Sequence, residues 1–404
     1  MPAASNSGVD SPRVWLIVFA AFFASFVAFG VTYSFGVFLK PMGETFGVGH
    51  APMTAIFSTL TALSFFLAPI TGDLSDRIGP RYVVGAGAVL MGTGLLLTAH
   101  IHWFPLLFVT YGVCVGAAVA CVYVPVVAAV GEWFKLHRDI ALGIAVSGIG
   151  CGTLAAAPLA ATLTERFGWR TAFEIFGWTS TIVLLACAAL VSRPPMLRAK
   201  DKANVAGLMR TRTFAVMYVA LLFSGIAVYI AFVFLPAFAT DVGVGRVAGA
   251  ALISYIGASS VIGRLGLLAL APRFGLLKMY KLSFLILLFS SYFWLTSHNY
   301  LALVAFGLVM GVGYGGLVAM TPAVAAGMFG IEGLGELLGF LMTSKGIACL
   351  VGPPLAGIMV DVTHDYKWPV FLASASALIA VIAVIRLRTP VSRAISAPEA
   401  ATAK

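Results

Sequence analysis

Charged residues are scarce in this chain of 404 residues. Lys, Arg, Asp and Glu together make up 10% of the sequence, whereas apolar residues make up 61%. Soluble domains carry about 25% charged residues and about 45–50% apolar residues. A water-soluble protein of this size could not cover so much apolar surface with so few charges. The composition therefore excludes a soluble globular protein and predicts that lipid surrounds much of the chain.

Patterns typical of enzymes and nucleotide-binding proteins are also missing. The phosphate-binding pattern Gly-x-x-x-x-Gly-Lys-Ser/Thr does not occur, so ATP-driven transport is not predicted. The six histidines fall in loops or at the ends of apolar runs, and the five cysteines lie inside apolar runs. Neither set forms a metal-binding or disulfide pattern. We therefore predict no enzyme activity, no catalytic residue, no metal and no cofactor.

Twelve apolar runs are long enough to cross a bilayer, which takes about 20 residues. A polar stretch at 193–212 divides them into two sets of six. We predict an all-α membrane protein with two six-helix bundles (1–192 and 213–390), a basic cytoplasmic linker between them and a cytoplasmic tail at 391–404. The predicted spans are 14–39, 52–72, 82–99, 104–131, 139–163, 171–191, 213–239, 247–270, 279–297, 301–327, 337–360 and 368–387.

The net charge of +10 is carried mainly by alternate loops between the apolar runs. Basic residues in short loops stay in the cytoplasm, so membrane topology explains this charge without nucleic acid as a partner. With both termini in the cytoplasm, only five basic residues face outside: Lys40, Arg166, Arg170, Arg246 and Lys367. The sequence thus predicts a multi-pass protein of the cell (inner) membrane with both termini cytoplasmic.

The loop after the second predicted span carries a charged motif. It reads Gly72-Asp73-Leu74-Ser75-Asp76-Arg77-Ile78-Gly79-Pro80-Arg81. This resembles the G-x-x-x-D-R-x-G-x-R motif of the major facilitator superfamily, whose two six-helix bundles bind a solute between them near the midplane. The resemblance implies that Asp73, Asp76, Arg77 and Arg81 hold the cytoplasmic gate in one of its two states. The alternative is a charged turn exposed to solvent.

Two further segments resemble the monocarboxylate transporter family. The run from Trp133 to Gly148 is similar to the entry into its span five, and Gly352-Pro353-Pro354-Leu355-Ala356-Gly357 to its span eleven. This resemblance implies a proton-coupled symporter of small monocarboxylates such as lactate or pyruvate. Two positions depart from the family pattern, since Ser260 stands where the family usually has an aspartate and Tyr33 where it has a lysine.

Two cations fall inside predicted spans without an obvious acidic partner. Arg264 lies in span eight and Lys345 near the middle of span eleven. A charge at mid-bilayer costs about 2.5–3.5 kcal/mol, so each cation should face a polar cavity. We infer that the missing counter-charge is an anionic cargo, whose carboxylate the fork of Arg264 binds in bidentate fashion. The alternative is an arginine that snorkels to the interface or caps a helix.

Lys345 resembles a lysine that oxalate:formate antiporters pair with an arginine on the same two helices. That resemblance implies an alternative function, the antiport of carboxylate anions of the oxalate/formate type. In a proton-coupled symporter, Lys345 would instead take up a proton when the anion arrives. It could also be a lysine satisfied by backbone carbonyls and water. A solute sensor of the same fold, without net transport, is a further alternative.

Polar side chains near the two cations complete the predicted substrate site. Tyr33, Tyr123 and Tyr314 lie in spans one, four and ten and offer hydroxyl groups, although each could equally serve packing. Ser260 lies one turn from Arg264 on the same helix face. The predicted partners are a small carboxylate anion, a proton and the lipid bilayer, with no nucleic acid and no nucleotide.

Overall fold

The computed structural model describes residues 14–134, 138–192, 205–296, 299–329 and 334–388, and within these ranges every regular element is a helix. This confirms the predicted all-α membrane fold. A π-helical segment, Phe108–Val115, leads directly into the fifth α-helix. The α-helices are α1 (Trp15–Tyr33), α2 (Phe35–Phe46), α3 (His50–Ile78), α4 (Pro80–His100), α5 (Gly116–Trp133), α6 (Arg138–Leu190), α7 (Val205–Met209), α8 (Arg212–Asp241), α9 (Arg246–Phe274), α10 (Leu276–Leu295), α11 (Tyr300–Phe329), α12 (Leu334–Thr363) and α13 (Lys367–Ile385).

Helix α6 accounts for two of the predicted spans. In the described part of the chain, 11 helical segments are long and apolar enough to cross a membrane. Helix α6 has 53 residues, about 80 Å at 1.5 Å per residue, whereas the hydrocarbon layer is about 30 Å thick. Its backbone leaves the helical region at Gly168 (φ 83°, ψ 160°). The segments before and after this glycine are separate crossings, which brings the total to the twelve expected.

Substitution of Gly168 by alanine should destabilise the protein by about 1–3 kcal/mol, because this backbone region is accessible almost only to glycine. No atom lies within 4 Å of the position that a Cβ would take, so the loss of stability would come from backbone strain and not from a steric clash. Gly143→Ala is the matched control, since that site is equally open and lies in regular helix; it should be neutral or stabilising by up to about 1 kcal/mol. Thermal unfolding in detergent measures both variants, and equal unfolding midpoints would contradict the prediction.

The helices extend beyond the apolar runs in two places where the predicted boundaries were wrong. The first predicted span, 14–39, is broken at Ser34 and continues as α2 to Phe46. Helix α3 continues to Ile78, so that most of the predicted gate motif lies on its last turns and only Gly79 (φ 100°) forms the turn into α4. Hydropathy marks the part of a helix that lies in lipid, whereas backbone hydrogen bonding continues past it.

The predicted linker is partly helical, because α7 lies inside it and α8 begins at its last residue, Arg212. Residues 193–204 of that linker and the predicted tail at 391–404 lie outside the described residues, as does Lys135 of the segment that resembles span five.

The two halves meet mainly where α3 packs on α12 and where α6 packs on α9. These contacts are close: a Cβ on Gly257 of α9 would lie 2.7 Å from the carbonyl oxygen of Gly150 of α6. The Ser254 hydroxyl, also on α9, donates to the Leu154 carbonyl at 2.6 Å. We call the end of the bundle with loops 47–49 and 242–245 the outer end, and the opposite end the inner end, following the predicted orientation.

Candidate substrate site

Two of the predicted tyrosines meet between the halves. The hydroxyl oxygens of Tyr33 (α1) and Tyr314 (α11) are 3.1 Å apart, although 281 residues separate them in sequence. The Tyr33 ring stacks on Phe232 of α8 with ring centroids 4.1 Å apart. Tyr123 of α5 reaches the same cluster through Phe29, whose ring contacts both Tyr123 and Tyr33. These aromatic rings pack together in the centre between the two halves.

Arg264 is buried in this centre, with only 5% of its surface exposed. Its Nη1 donates to the carbonyl oxygen of Val146 on α6, in the opposite half, at 2.6 Å. Its Nε and Nη2 are buried and have no hydrogen-bond partner. Among the described residues, no carboxylate pairs with this guanidinium. The burial excludes an arginine that snorkels to the interface, because such a side chain would reach the surface of the bundle.

The other predicted cation lies close to Arg264. Lys345 is an electrostatic neighbour of Arg264 and of Cys349. Within the ranges that the structure describes, its ammonium makes no hydrogen bond and no ion pair. Arg264 also interacts electrostatically with Tyr33, Tyr123 and Tyr314. The fold therefore gathers five of the six predicted substrate residues into one positively charged centre.

Ser260, the sixth predicted residue, is placed differently. It is buried, and its hydroxyl donates to the carbonyl of Gly257 on its own helix at 2.7 Å. A Cβ on Gly150 of α6 would lie 3.1 Å from its Oγ. Ser260 thus lies in the contact between the two halves, and its hydroxyl proton is already used within α9.

Three residues of this centre were missed by the sequence analysis. Cys349 is fully buried one turn after Lys345, and its thiol lies next to the side chains of Thr61 of α3 and Tyr229 of α8. Its spacing of four residues from Lys345, which puts both side chains on one face of the helix, could have indicated this position. The surrounding apolar sequence indicated a packing cysteine instead.

The predicted gate residues are only partly brought together. Arg77 Nη2 lies 2.8 Å from Asp73 Oδ2, four residues earlier on α3, and both side chains are exposed. A surface pair of this kind contributes at most about 1 kcal/mol. Arg81 is exposed at the start of α4. The local pair fits the charged-turn alternative as well as the gate, so the gating role stays a prediction.

The outer end is closed by contacts that the sequence analysis did not assign. Asp361, near the end of α12, accepts backbone hydrogen bonds from His50 and Ala51, each at 2.8 Å, and so caps the N-terminus of α3 in the opposite half. The His50 Nδ1 also lies 3.0 Å from this carboxylate, and its Nε2 lies 3.0 Å from the Tyr366 hydroxyl. Burial, reinforced by Asp241 and Asp361, raises the pKa of Tyr366, so its hydroxyl stays protonated.

The arrangement of two helical halves around a buried polar centre defines a multi-pass membrane transporter. The family model of the Major Facilitator Superfamily matches residues 21–294 and 269–404, and the chain belongs to this superfamily. Within the superfamily, its relatives include the monocarboxylate transporters. These similarities indicate a transporter and not an enzyme.

Three relatives illustrate this similarity. Monocarboxylate transporter 13 of Bos taurus is 30% identical over 89% of this chain and 86% of its own length. Monocarboxylate transporter 3 of Rattus norvegicus is 28% identical over 91% of this chain and 78% of its own length. The MFS-type transporter pynF of Aspergillus niger is 27% identical over 96% of this chain and 90% of its own length.

Proposed function

We propose that this protein carries small monocarboxylates of the lactate or pyruvate kind across the cell membrane, in symport with a proton. The observation that carries the proposal is the buried Arg264, which keeps two N–H-bearing nitrogens unpaired and has no acidic neighbour among the described residues. A buried charge needs a counter-charge, since leaving it unpaired costs several kcal/mol. A bound carboxylate supplies one.

The geometry of the free nitrogens favours a carboxylate. Nε and Nη2 lie on one edge of the guanidinium plane, and their N–H bonds run nearly parallel, so they match the two oxygens of a carboxylate. The third nitrogen, Nη1, is held by the Val146 carbonyl. This contact fixes the plane of the fork before the cargo arrives, which lowers the entropy lost on binding.

The surroundings of Arg264 favour a small cargo with a short apolar part. Phe232 stacks against Tyr33 and contacts Tyr314 edge-on, so apolar ring surface lies beside the two hydroxyls. A hydroxyl or keto group next to the carboxylate could bond to one of these tyrosines. The names of the mammalian relatives support a monocarboxylate.

Alternating access would follow from rocking of the halves about this centre. The contacts between Asp361, His50 and Tyr366 join the two halves at the outer end, so in this state they would bar the cargo from that end. In the other state these contacts would break, and the motif from Asp73 to Arg81 would help to close the inner end. Both termini would lie in the cytoplasm.

Net uptake into liposomes tests symport against the alternatives. With lactate outside and no substrate inside, an inward proton gradient should drive accumulation of labelled lactate. A requirement for internal carboxylate would establish the antiport alternative, which the proximity of Lys345 to Arg264 favours. Any net uptake would exclude a sensor that does not transport.

Lys345→Gln should separate proton coupling from carboxylate binding. We expect pH-driven accumulation of lactate to fall by roughly tenfold or more, which corresponds to about 1.4 kcal/mol or more. Exchange of lactate for lactate, which depends on Arg264, should persist. Lys367→Gln is the matched control, because Lys367 is an exposed lysine that pairs with Asp365 near the outer end, away from Arg264. Unchanged pH-driven uptake in Lys345→Gln would remove Lys345 as the proton carrier.

A further inference from the structure

A basic cavity lies at the inner end of the second half, away from the substrate site. It has a volume of about 620 Å³, is partly open, and is lined by the start of α10, the end of α11 and the residues after α13. Three cations line it, namely Lys278, Lys281 and Arg388. The rest of its wall is mainly apolar and includes Leu276, Leu277, Val324, Met328 and Leu387.

Lys281 is the cation that the fold positions most firmly. Its ammonium donates to the carbonyl oxygens of Ile385 at 3.0 Å and Leu387 at 2.7 Å, at the end of α13. An ammonium has three donors, so one N–H remains for a ligand. Arg388 is an electrostatic neighbour of Lys281. No described carboxylate forms an ion pair with any of the three cations, so the cavity has an uncompensated positive charge.

We propose that this cavity binds one anionic phospholipid. The phosphate would lie between Lys278, Lys281 and Arg388, and an acyl chain would follow the apolar wall formed by Leu276, Val324 and Met328. The cavity lies at the ends of three apolar helices, α10, α11 and α13, and basic sites between the ends of membrane helices suit anionic headgroups. A free phosphate ion would leave the apolar wall uncovered, so the cavity fits a lipid better.

The first half offers an internal comparison. A cavity of about 400 Å³ lies at the same end, between the start of α4 and the end of α6. Gly79 before α4 and Gly275 before α10 have nearly the same backbone angles (φ 100° and 96°), so each cavity begins at a similar turn. The first-half cavity is lined by a single cation, Arg81, together with Tyr82. With one charge instead of three, it should hold an anionic lipid only weakly.

Native mass spectrometry of the full-length protein, titrated with phosphatidylglycerol or phosphatidylcholine in detergent, tests the proposal. The wild type should bind one phosphatidylglycerol more tightly than phosphatidylcholine. The double variant Lys278→Gln/Arg388→Gln should weaken phosphatidylglycerol binding about 25-fold, since each basic residue near the headgroups contributes about a factor of five. Lys281 is left in place because it also caps α13.

Arg273→Gln/Arg386→Gln is the matched control. It removes two exposed cations from the same end of the bundle, neither of which lines the cavity, and should leave phosphatidylglycerol binding within twofold of the wild type. Lys278→Arg/Arg388→Lys keeps both charges and should retain binding, which separates loss of charge from loss of folding.

Three outcomes would overturn the lipid site. The first is equal weakening in the cavity variant and the control, which would indicate a general effect of charge. The second is the absence of any preference for phosphatidylglycerol over phosphatidylcholine. The third is displacement of the lipid by glycerol phosphate at a similar concentration, which would show that the acyl chain adds nothing and that the cavity is only a phosphate site.

Discussion

Substitution of Arg264 by lysine should reduce lactate uptake roughly 10- to 100-fold although the positive charge is kept. A charged hydrogen bond contributes about 1.5–3 kcal/mol, and lysine cannot form the second of the two parallel bonds that the guanidinium edge provides. The single nitrogen of a lysine ammonium would also have to bond either to the Val146 carbonyl or to the cargo, whereas different nitrogens of Arg264 can serve the two. Initial rates of uptake of labelled lactate into reconstituted liposomes measure the effect.

Arg273→Lys is the control for this substitution. Arg273 lies on the same helix, but it is exposed near the inner end and stacks over Phe274 at 5.5 Å. Uptake in this variant should equal that of the wild type. In the wild type, short carboxylates should compete with lactate for uptake. Lactamide has the same shape as lactate but no charge, and it should not compete. Normal uptake in Arg264→Lys would rule out bidentate recognition.

Asp361→Asn should loosen the outer end and raise the amide exchange of the first turn of α3 by tenfold or more. The carboxylate accepts two backbone N–H groups of that turn and contacts the His50 ring. Charge-assisted bonds to a helix N-terminus are stronger than neutral ones, and loss of the charge also removes its interaction with the helix dipole. An amide oxygen would retain part of the cap and none of the charge.

Hydrogen–deuterium exchange of peptides that cover residues 50–54 and 359–366 reports this opening. Asp365→Asn is the matched control, because Asp365 is a half-buried aspartate four residues later whose bonds, among the described residues, are to its local neighbours Lys367 and Thr363. If both variants exchanged at the wild-type rate, the contact between Asp361 and α3 would not hold the halves together.

Local sequence information was enough for the helices and their number. In lipid each backbone N–H and C=O group must be satisfied within its own segment, so an apolar run of about 20 residues becomes a helix regardless of what packs against it. The count of twelve crossings needed no tertiary information, even where Gly168 joins two of them in one continuous segment. The pairing of Asp73 with Arg77 is also local, as it depends only on a spacing of four residues.

The sequence also marked Arg264 and Lys345 as unusual, because a charge in an apolar run is conspicuous by itself. It could not tell which direction each side chain takes. These helices are apolar on nearly all faces, so no polar stripe indicates which face of a helix turns inward. The predicted ends of two helices were wrong because α2 and α3 extend beyond the residues that lipid requires to be apolar.

The sequence by itself determined that this is a twelve-span helical membrane protein with two cations in its spans. Tertiary structure decided what surrounds those cations: a carbonyl 118 residues away that fixes Arg264, a tyrosine pair formed across 281 residues, and an aspartate that caps a helix about 310 residues earlier. These contacts depend on how the two halves dock. Docking depends on side-chain shape and on close glycine contacts such as that of Gly150 with Gly257, which leave no periodic pattern in the sequence.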